Sequence, residues 1–130
     1  MKNILFDLKR EFVLWDYQVS HGQLLLRSEK RKGYSMNLDV IFFNTIHMQI
    51  NTHISEMKII IDNKFSNVGE SENKIIYNSN NSKLFTIIDG ETEFYIIASF
   101  FHIFENNLNP FETSLGISFS ERGKLVGSYP

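Results

Sequence analysis

The sequence predicts a mostly β protein, an antiparallel β-sandwich or small barrel of about eight strands, and three observations carry that prediction. Ala98 is the only alanine among 130 residues, whereas helical proteins use this best of helix formers freely. Apolar residues recur at every second position in several short segments that are bounded by Gly, Asn, Asp and Ser. The run Glu93 to Phe104 is apolar on both faces of an extended chain, with Phe94, Ile96, Ala98, Phe100 and Phe104 on one and Tyr95, Ile97, Phe101 and Ile103 on the other. Its aromatic and β-branched residues favour a strand over a buried helix. Such a strand lies mid-sheet, or runs between two packed layers. Twelve residues would span about 40 Å, long for one straight strand, so a bend is expected near the small residues Ala98 and Ser99.

The elements follow in order. Residues 2–12 fit two readings. Leu5, Leu8, Phe12 and Trp15 recur at helical spacing and favour one short N-terminal helix, while Asn3 to Leu8 also suits an edge strand. Phe12 to Ser20 alternates as a strand, Ser20 to Gln23 turns, and Leu24 to Leu26 returns as a hairpin. Arg27 to Gly33 reads as a charged loop. Met36, Leu38, Val40 and Phe42 then alternate with polar residues, as do Ile46, Met48 and Ile50. A hairpin with the loop Phe43-Asn44-Thr45 keeps both apolar sets on one face, and Asn44 suits the left-handed position that such a loop needs. Met57 to Asp62, Ile75 to Tyr77 and Leu84 to Ile88 are short strands. Asp89-Gly90 is a strong hairpin turn leading into the run at Glu93. Asn109-Pro110 marks a stop, Ser114 to Ser120 is the expected final full strand, and Glu121-Arg122-Gly123 is a turn before a short tail.

The bulk composition narrows the function classes. A chain of this length forms one domain, residues 1–130, with its own core. Its 42% hydrophobic and 14% aromatic content places it among globular chains. A net charge of −2 offers no general attraction for nucleic acid or an anionic membrane. Without cysteine there is no disulfide framework, thiolate nucleophile or cysteine metal site. The N-terminal run Ile4-Leu5-Phe6 is cut short by Asp7, Lys9, Arg10 and Glu11, too soon for a signal-peptide core. A cytoplasmic location is the expectation.

Chemistry-bearing residues converge at one place in this reading. The expected hairpin puts Asn37 and Asp39 on one strand and His47, Gln49 and Asn51 on the next, all on its polar face. Asp39 would lie diagonal to His47, and a carboxylate that orients an imidazole is the arrangement of a general base. The same residues equally describe the wet face of a half-buried strand pair or a polar binding surface. His47 and His53 match no metal-ligand spacing, and no metal or other cofactor is expected. His102, between Phe100 and Phe104, reads as a hydrogen-bonded core or rim histidine. Ser20 and His21 point to opposite faces and make a poor nucleophile–base pair. Arg27, Lys30, Arg31 and Lys32 form the one basic concentration, which suits a solvated loop.

The function expected from these features is a small non-enzymatic protein-binding domain, of the kind of bacterial immunity or antitoxin proteins that neutralise a partner. Two alternatives stand beside it: a barrel holding a small apolar ligand among Trp15, Tyr17 and the phenylalanines, and a hydrolase or isomerase built on His47 and Asp39. The expected partner is another protein, with homodimerisation through an exposed sheet edge as a further route.

Overall fold

The computed structural model describes residues 2–31, 33–62 and 82–130. Among them are eleven strands: β1 (Lys2–Leu8), β2 (Phe12–Gln18), β3 (Gln23–Ser28), β4 (Asn37–Phe43), β5 (His47–Gln49), β6 (His53–Ile54), β7 (Met57–Asp62), β8 (Lys83–Asp89), β9 (Thr92–Ala98), β10 (Phe100–Asn106) and β11 (Lys124–Tyr129). They form a five-stranded sheet, β1-β7-β8-β9-β5, and a six-stranded sheet, β11-β10-β4-β3-β2-β6, antiparallel throughout. The sheets do not close on each other, so the fold is a sandwich and not a barrel. The strand expected at Ile75–Tyr77 lies outside the described residues, as does Lys32.

Between the sheets, Phe12, Leu24, Leu26, Val40, Phe42, Phe101 and Ile103 of the larger sheet meet Met57, Ile59, Phe85, Ile87, Phe94 and Ile96 of the smaller. The rings of Phe42, Phe85 and Phe101 sit with centroids 5.3–5.5 Å apart in tilted and edge-on contacts, the arrangement that aromatic quadrupoles favour. Most phenylalanines among the described residues thus find their place in packing.

The long apolar run does bend where the small residues fall. β9 ends at Ala98 in the smaller sheet, and β10 begins at Phe100 in the larger one. The chain makes the same passage between β4 and β5, where Asn44 takes a left-handed φ of 55°. The two crossings lie side by side, because Ser99 N donates to Phe43 O and Ile46 N donates to Ile97 O, each at 2.9 Å. β4–β5 and β9–β10 are therefore one long ribbon folded across a corner and shared by both sheets.

That corner corrects the expected hairpin. β4 does not pair with β5; it lies between β3 and β10, while β5 pairs with β9 in the other sheet. The physical reason is legible on β4 itself. Leu38, Val40 and Phe42 face the sandwich core, but Ile41 and Phe43 make the opposite face apolar too. A strand apolar on both faces needs neighbours on both edges and cover on both sides.

Two further expectations are corrected. Residues 2–8 form edge strand β1 and not a short helix. The pairing of β1 with β7 skips Leu5 between Ile4 and Phe6, and this bulge turns Leu5, Phe6 and Leu8 all toward the core. A break in period-two alternation mimics helical spacing. At the other end, Ser114–Ser120 is not a strand. The segment Asn107–Gly123 lies over the outer face of the larger sheet, turns through a short 3-10 stretch at Phe119–Arg122 and leads into β11, where a tail was expected.

Candidate interaction surface

On the outer face of the larger sheet, Leu25, Ile41, Phe43, Phe104 and Leu115 form a second apolar cluster against which Trp15 and Phe100 pack. Arg27 and Asp39 stand in that layer as direct cross-strand neighbours, 1% and 0% exposed. Arg27 Nε donates to Asp39 Oδ1 at 2.7 Å and Nη2 donates to Oδ2 at 2.9 Å, a two-point clamp. The guanidinium also lies 5.2 Å from the Trp15 ring centroid.

The remaining bonds of this pair go to the end of β10 and to the covering segment. Ser114 Oγ donates to Asp39 Oδ2 at 2.8 Å and Asn106 Nδ2 donates to the same oxygen at 2.9 Å. Arg27 Nη1 donates to Glu112 O at 2.8 Å. Asn37 Nδ2 reaches Asn106 Oδ1 at 2.9 Å and Leu108 O at 2.8 Å, while Asn37 Oδ1 accepts from Lys30 N at 2.8 Å. Arg122 Nε donates to Ser114 O at 2.9 Å, and Arg122 O accepts from Asn106 Nδ2 at 3.0 Å. A buried charge is tolerated only when paired and hydrogen-bonded, and this one is.

The pinned segment holds one large apolar side chain almost wholly in water. Asn109, Pro110, Phe111 and Glu112 make a turn closed by Glu112 N donating to Asn109 O at 3.0 Å. Asn109 Oδ1 accepts from Phe111 N at 2.9 Å, and Glu112 Oε1 accepts from Asn109 N at 2.9 Å. Pro110 fixes its own φ at the second turn position. At the apex Phe111 is 99% exposed. The turn is held from below through Glu112 O on Arg27, so a fully solvated ring stands on backbone tied to the buried ion pair.

The residues singled out from the sequence are divided by this architecture. Asn37 and Asp39 are buried in the larger sheet, whereas His47 and Gln49 lie on β5 at the edge of the smaller sheet and Asn51 is exposed beyond it. The structure does not bring Asp39 to His47, and the arrangement expected for a general base is absent. Arg27 belongs to the core and not to a solvated basic loop. Its signal was present in the sequence: Arg27 shares a face with Leu25, and Asp39 shares one with Ile41 and Phe43, so both charges occupy apolar positions. Phe111 was missed, although an aromatic alone in a polar Asn-Pro turn has no core to enter.

The remaining histidines are scattered. His53 Nε2 lies 3.0 Å from Glu11 Oε2, and Arg31 reaches Glu11 Oε1 at 3.1 Å, an exposed group of small energetic weight. His102 is ringed by Phe43, Phe100, Phe104 and Phe119, with centroids 5.1–5.8 Å away. Burial, and then the nearby Arg122 charge, hold its imidazole below the ordinary value of 6.5. Its Nδ1 is buried without a partner, against the expected hydrogen bond. Among the described residues no three His, Asp or Glu side chains converge as a metal site, and no helix is long and apolar enough to cross a membrane. No protein-family model matches the chain, and no curated protein or solved structure matches it significantly.

Proposed function

We propose that the protein is a non-enzymatic protein-binding domain whose partner encloses Phe111. The observation that carries this reading is a ring 99% exposed at the apex of a turn closed by hydrogen bonds at 2.9–3.0 Å. Buried aromatic anchors dominate the energetics of protein interfaces. An anchor already fixed in its turn loses little conformational freedom on docking. Val19, 85% exposed in the turn between β2 and β3, adds a second apolar side chain that the fold leaves in water.

The polar interior supports the same reading. The Asp39 carboxylate accepts from Arg27, Ser114 and Asn106, and these bonds serve to hold a surface in place. A partner-neutralising protein of the immunity or antitoxin kind, acting in the cytoplasm, needs such a scaffold: stable and rigid where it is touched. The test places a photo-crosslinking benzoylphenylalanine at position 111 and, as a control, at exposed Val126, then analyses gently recovered material by native mass spectrometry. A single adduct of fixed stoichiometry at 111 but not at 126 is expected, and Phe111→Ala should abolish that complex while leaving thermal stability unchanged. An adduct of twice the chain mass would identify the partner as a second copy. A complex that survives Phe111→Ala intact would refute the proposal.

A further inference from the structure

The covering segment rests on a histidine. His102 stands on the outer face of β10, and its imidazole is enclosed by Phe43 of β4, Phe100 and Phe104 of its own strand and Phe119 of the segment, with centroids 5.1–5.8 Å away. Its Nδ1 is the only buried side-chain nitrogen or oxygen without a partner among the described residues. A buried N–H left unpaired is rarer than an unused lone pair, which puts the proton of the neutral ring on Nε2 and leaves Nδ1 bare. A second proton therefore has only Nδ1 to occupy, among phenylalanine rings and with no acceptor bonded to it.

The surroundings of the ring oppose a second cation. The covering segment brings the buried Arg122, and Glu121, whose exposed carboxylate is tied to Ser118. On β4, Asp39 is already engaged by Arg27, Ser114 and Asn106. On β10, Glu105 lies on the opposite face from His102. β11 sets Ser128 opposite the histidine, and Lys83 and Pro130, with its α-carboxyl group, line the cleft beside it. Burial first, and then the Arg122 charge, hold the imidazole below its ordinary 6.5. Nor does the nearest aromatic face offer a place for the charge. Phe43 already has the Arg122 guanidinium 5.4 Å from its centroid and the Phe100 ring stacked on it at 4.6 Å.

The segment itself is lightly held. Of residues 107–123 only Ser114, Leu115 and Arg122 are buried, so Leu115 is its one buried apolar side chain. The rest of its attachment is the Phe119 ring against His102 and Phe104 and the hydrogen bonds to Arg27, Asp39 and Asn106. Arg122 joins its two ends, since Nε donates to Ser114 O. Few buried apolar contacts mark a unit that opens separately from the core. We infer that His102 makes this segment acid-releasable: a proton taken up at Nδ1 drives Phe119 and Arg122 off the outer face of β10 and unseats the Phe111 turn, while the two sheets stay packed. Release grows as pH falls from 6.5 through the lowered value of the closed form, because the open segment lets the ring take the proton that the closed one resists. Regulation of a partner by this release rests on the protein-binding reading; the release itself does not.

The experiment follows backbone hydrogen exchange of the free protein by mass spectrometry from pH 7.5 to 5.5, with each rate corrected for the pH dependence of intrinsic exchange. No partner enters the measurement, so its failure is separate from that of the Phe111 complex. Protection across residues 107–123 is expected to fall several-fold over this range while that of β8 and β9 holds. In His102→Phe the protection of the segment should stay constant. An NMR titration of the wild-type protein decides the matter even if that variant does not fold. The His102 ring should titrate below 6.5, and the amides of Leu115 and Phe119 should shift with the same midpoint. A ring that titrates at or above 6.5, as a salt link to the Pro130 carboxyl would produce, would overturn the inference. So would protection of the segment that holds in acid, that is lost equally in β8 and β9, or that falls as much in His102→Phe.

Discussion

Replacing Asp39 by alanine tests the part of the structure on which the proposed surface hangs. The carboxylate accepts four hydrogen bonds, two from Arg27 at 2.7 and 2.9 Å, one from Ser114 at 2.8 Å and one from Asn106 at 2.9 Å. Its removal strands a guanidinium that is 1% exposed and has lost its two-point partner. Breaking a buried pair in this way costs about 3–5 kcal/mol, a large share of the roughly 5–15 kcal/mol that holds a domain together. The double variant Arg27→Met/Asp39→Leu removes both charges and refills the volume. It loses three hydrogen bonds, two to the covering segment (Glu112 O and Ser114) and one to Asn106 at the end of β10, at about 1 kcal/mol each. Apolar packing gained in exchange offsets part of this, so the double variant should fall between wild type and Asp39→Ala. Urea denaturation followed by the fluorescence of Trp15, the only tryptophan, reports from beside Arg27 itself. A loss under about 1 kcal/mol in Asp39→Ala, or single losses that simply add in the double variant, would refute the reasoning.

Further outcomes follow from local geometry and titration. Gly123→Ala should destabilise far more than Gly90→Ala: both glycines have positive φ, at 108° and 62°, but a Cβ on Gly123 would strike Glu105 O and Asn106 Cβ, while nothing lies within 4 Å of one on Gly90. Thermal melts of the two variants decide this, and equal losses would contradict it. His102 favours its neutral form in the fold. Its stabilisation is therefore complete above pH 6.5 and declines as pH falls from there through its lowered folded pKa, because the unfolded chain takes up the proton first. Urea midpoints from pH 7.5 to 5.5 should fall less steeply in His102→Phe than in wild type. Glu121 works in a lower window: hydrogen bonds from Ser118 hold its carboxyl below 4.5, so the stability they contribute is present above that value and lost as pH falls through the lowered folded pKa. Ser118→Ala should be less stable than wild type at neutral pH and approach it in acid, as urea midpoints at pH 7 and pH 3 would show.

The fold was legible in the sequence where alternation and turn chemistry agree, and obscured where one strand serves two layers. Asp89-Gly90 and the small pair Ala98-Ser99 marked a hairpin and a bend that the structure contains. Period two locates a strand but does not name its neighbour, so β4 and β5 were joined to each other when each belongs to a different sheet. The surface was harder to read. A charged residue in an alternating pattern looks solvated until the far side of its strand is known to be covered, and the cover of Asp39 comes from residues 107–123. Phe111 left no periodic trace, since its importance lies in what it fails to touch.

The position of that cover has a consequence for synthesis. β2, β3 and β4 emerge early, with Leu24, Leu26, Val40 and Phe42 on one side and Leu25, Ile41 and Phe43 on the other. β10 and the segment that seals Arg27 and Asp39 leave the ribosome after every strand of the smaller sheet. Until then the nascent larger sheet lacks the cover of its outer face and has an open edge on β4, the condition in which chains stick to one another. A ribosome-bound chain arrested before Phe100 should therefore recruit chaperones strongly, and one released through Tyr129 should not. For this topology, the segment after β10 converts an adhesive intermediate into a closed sandwich.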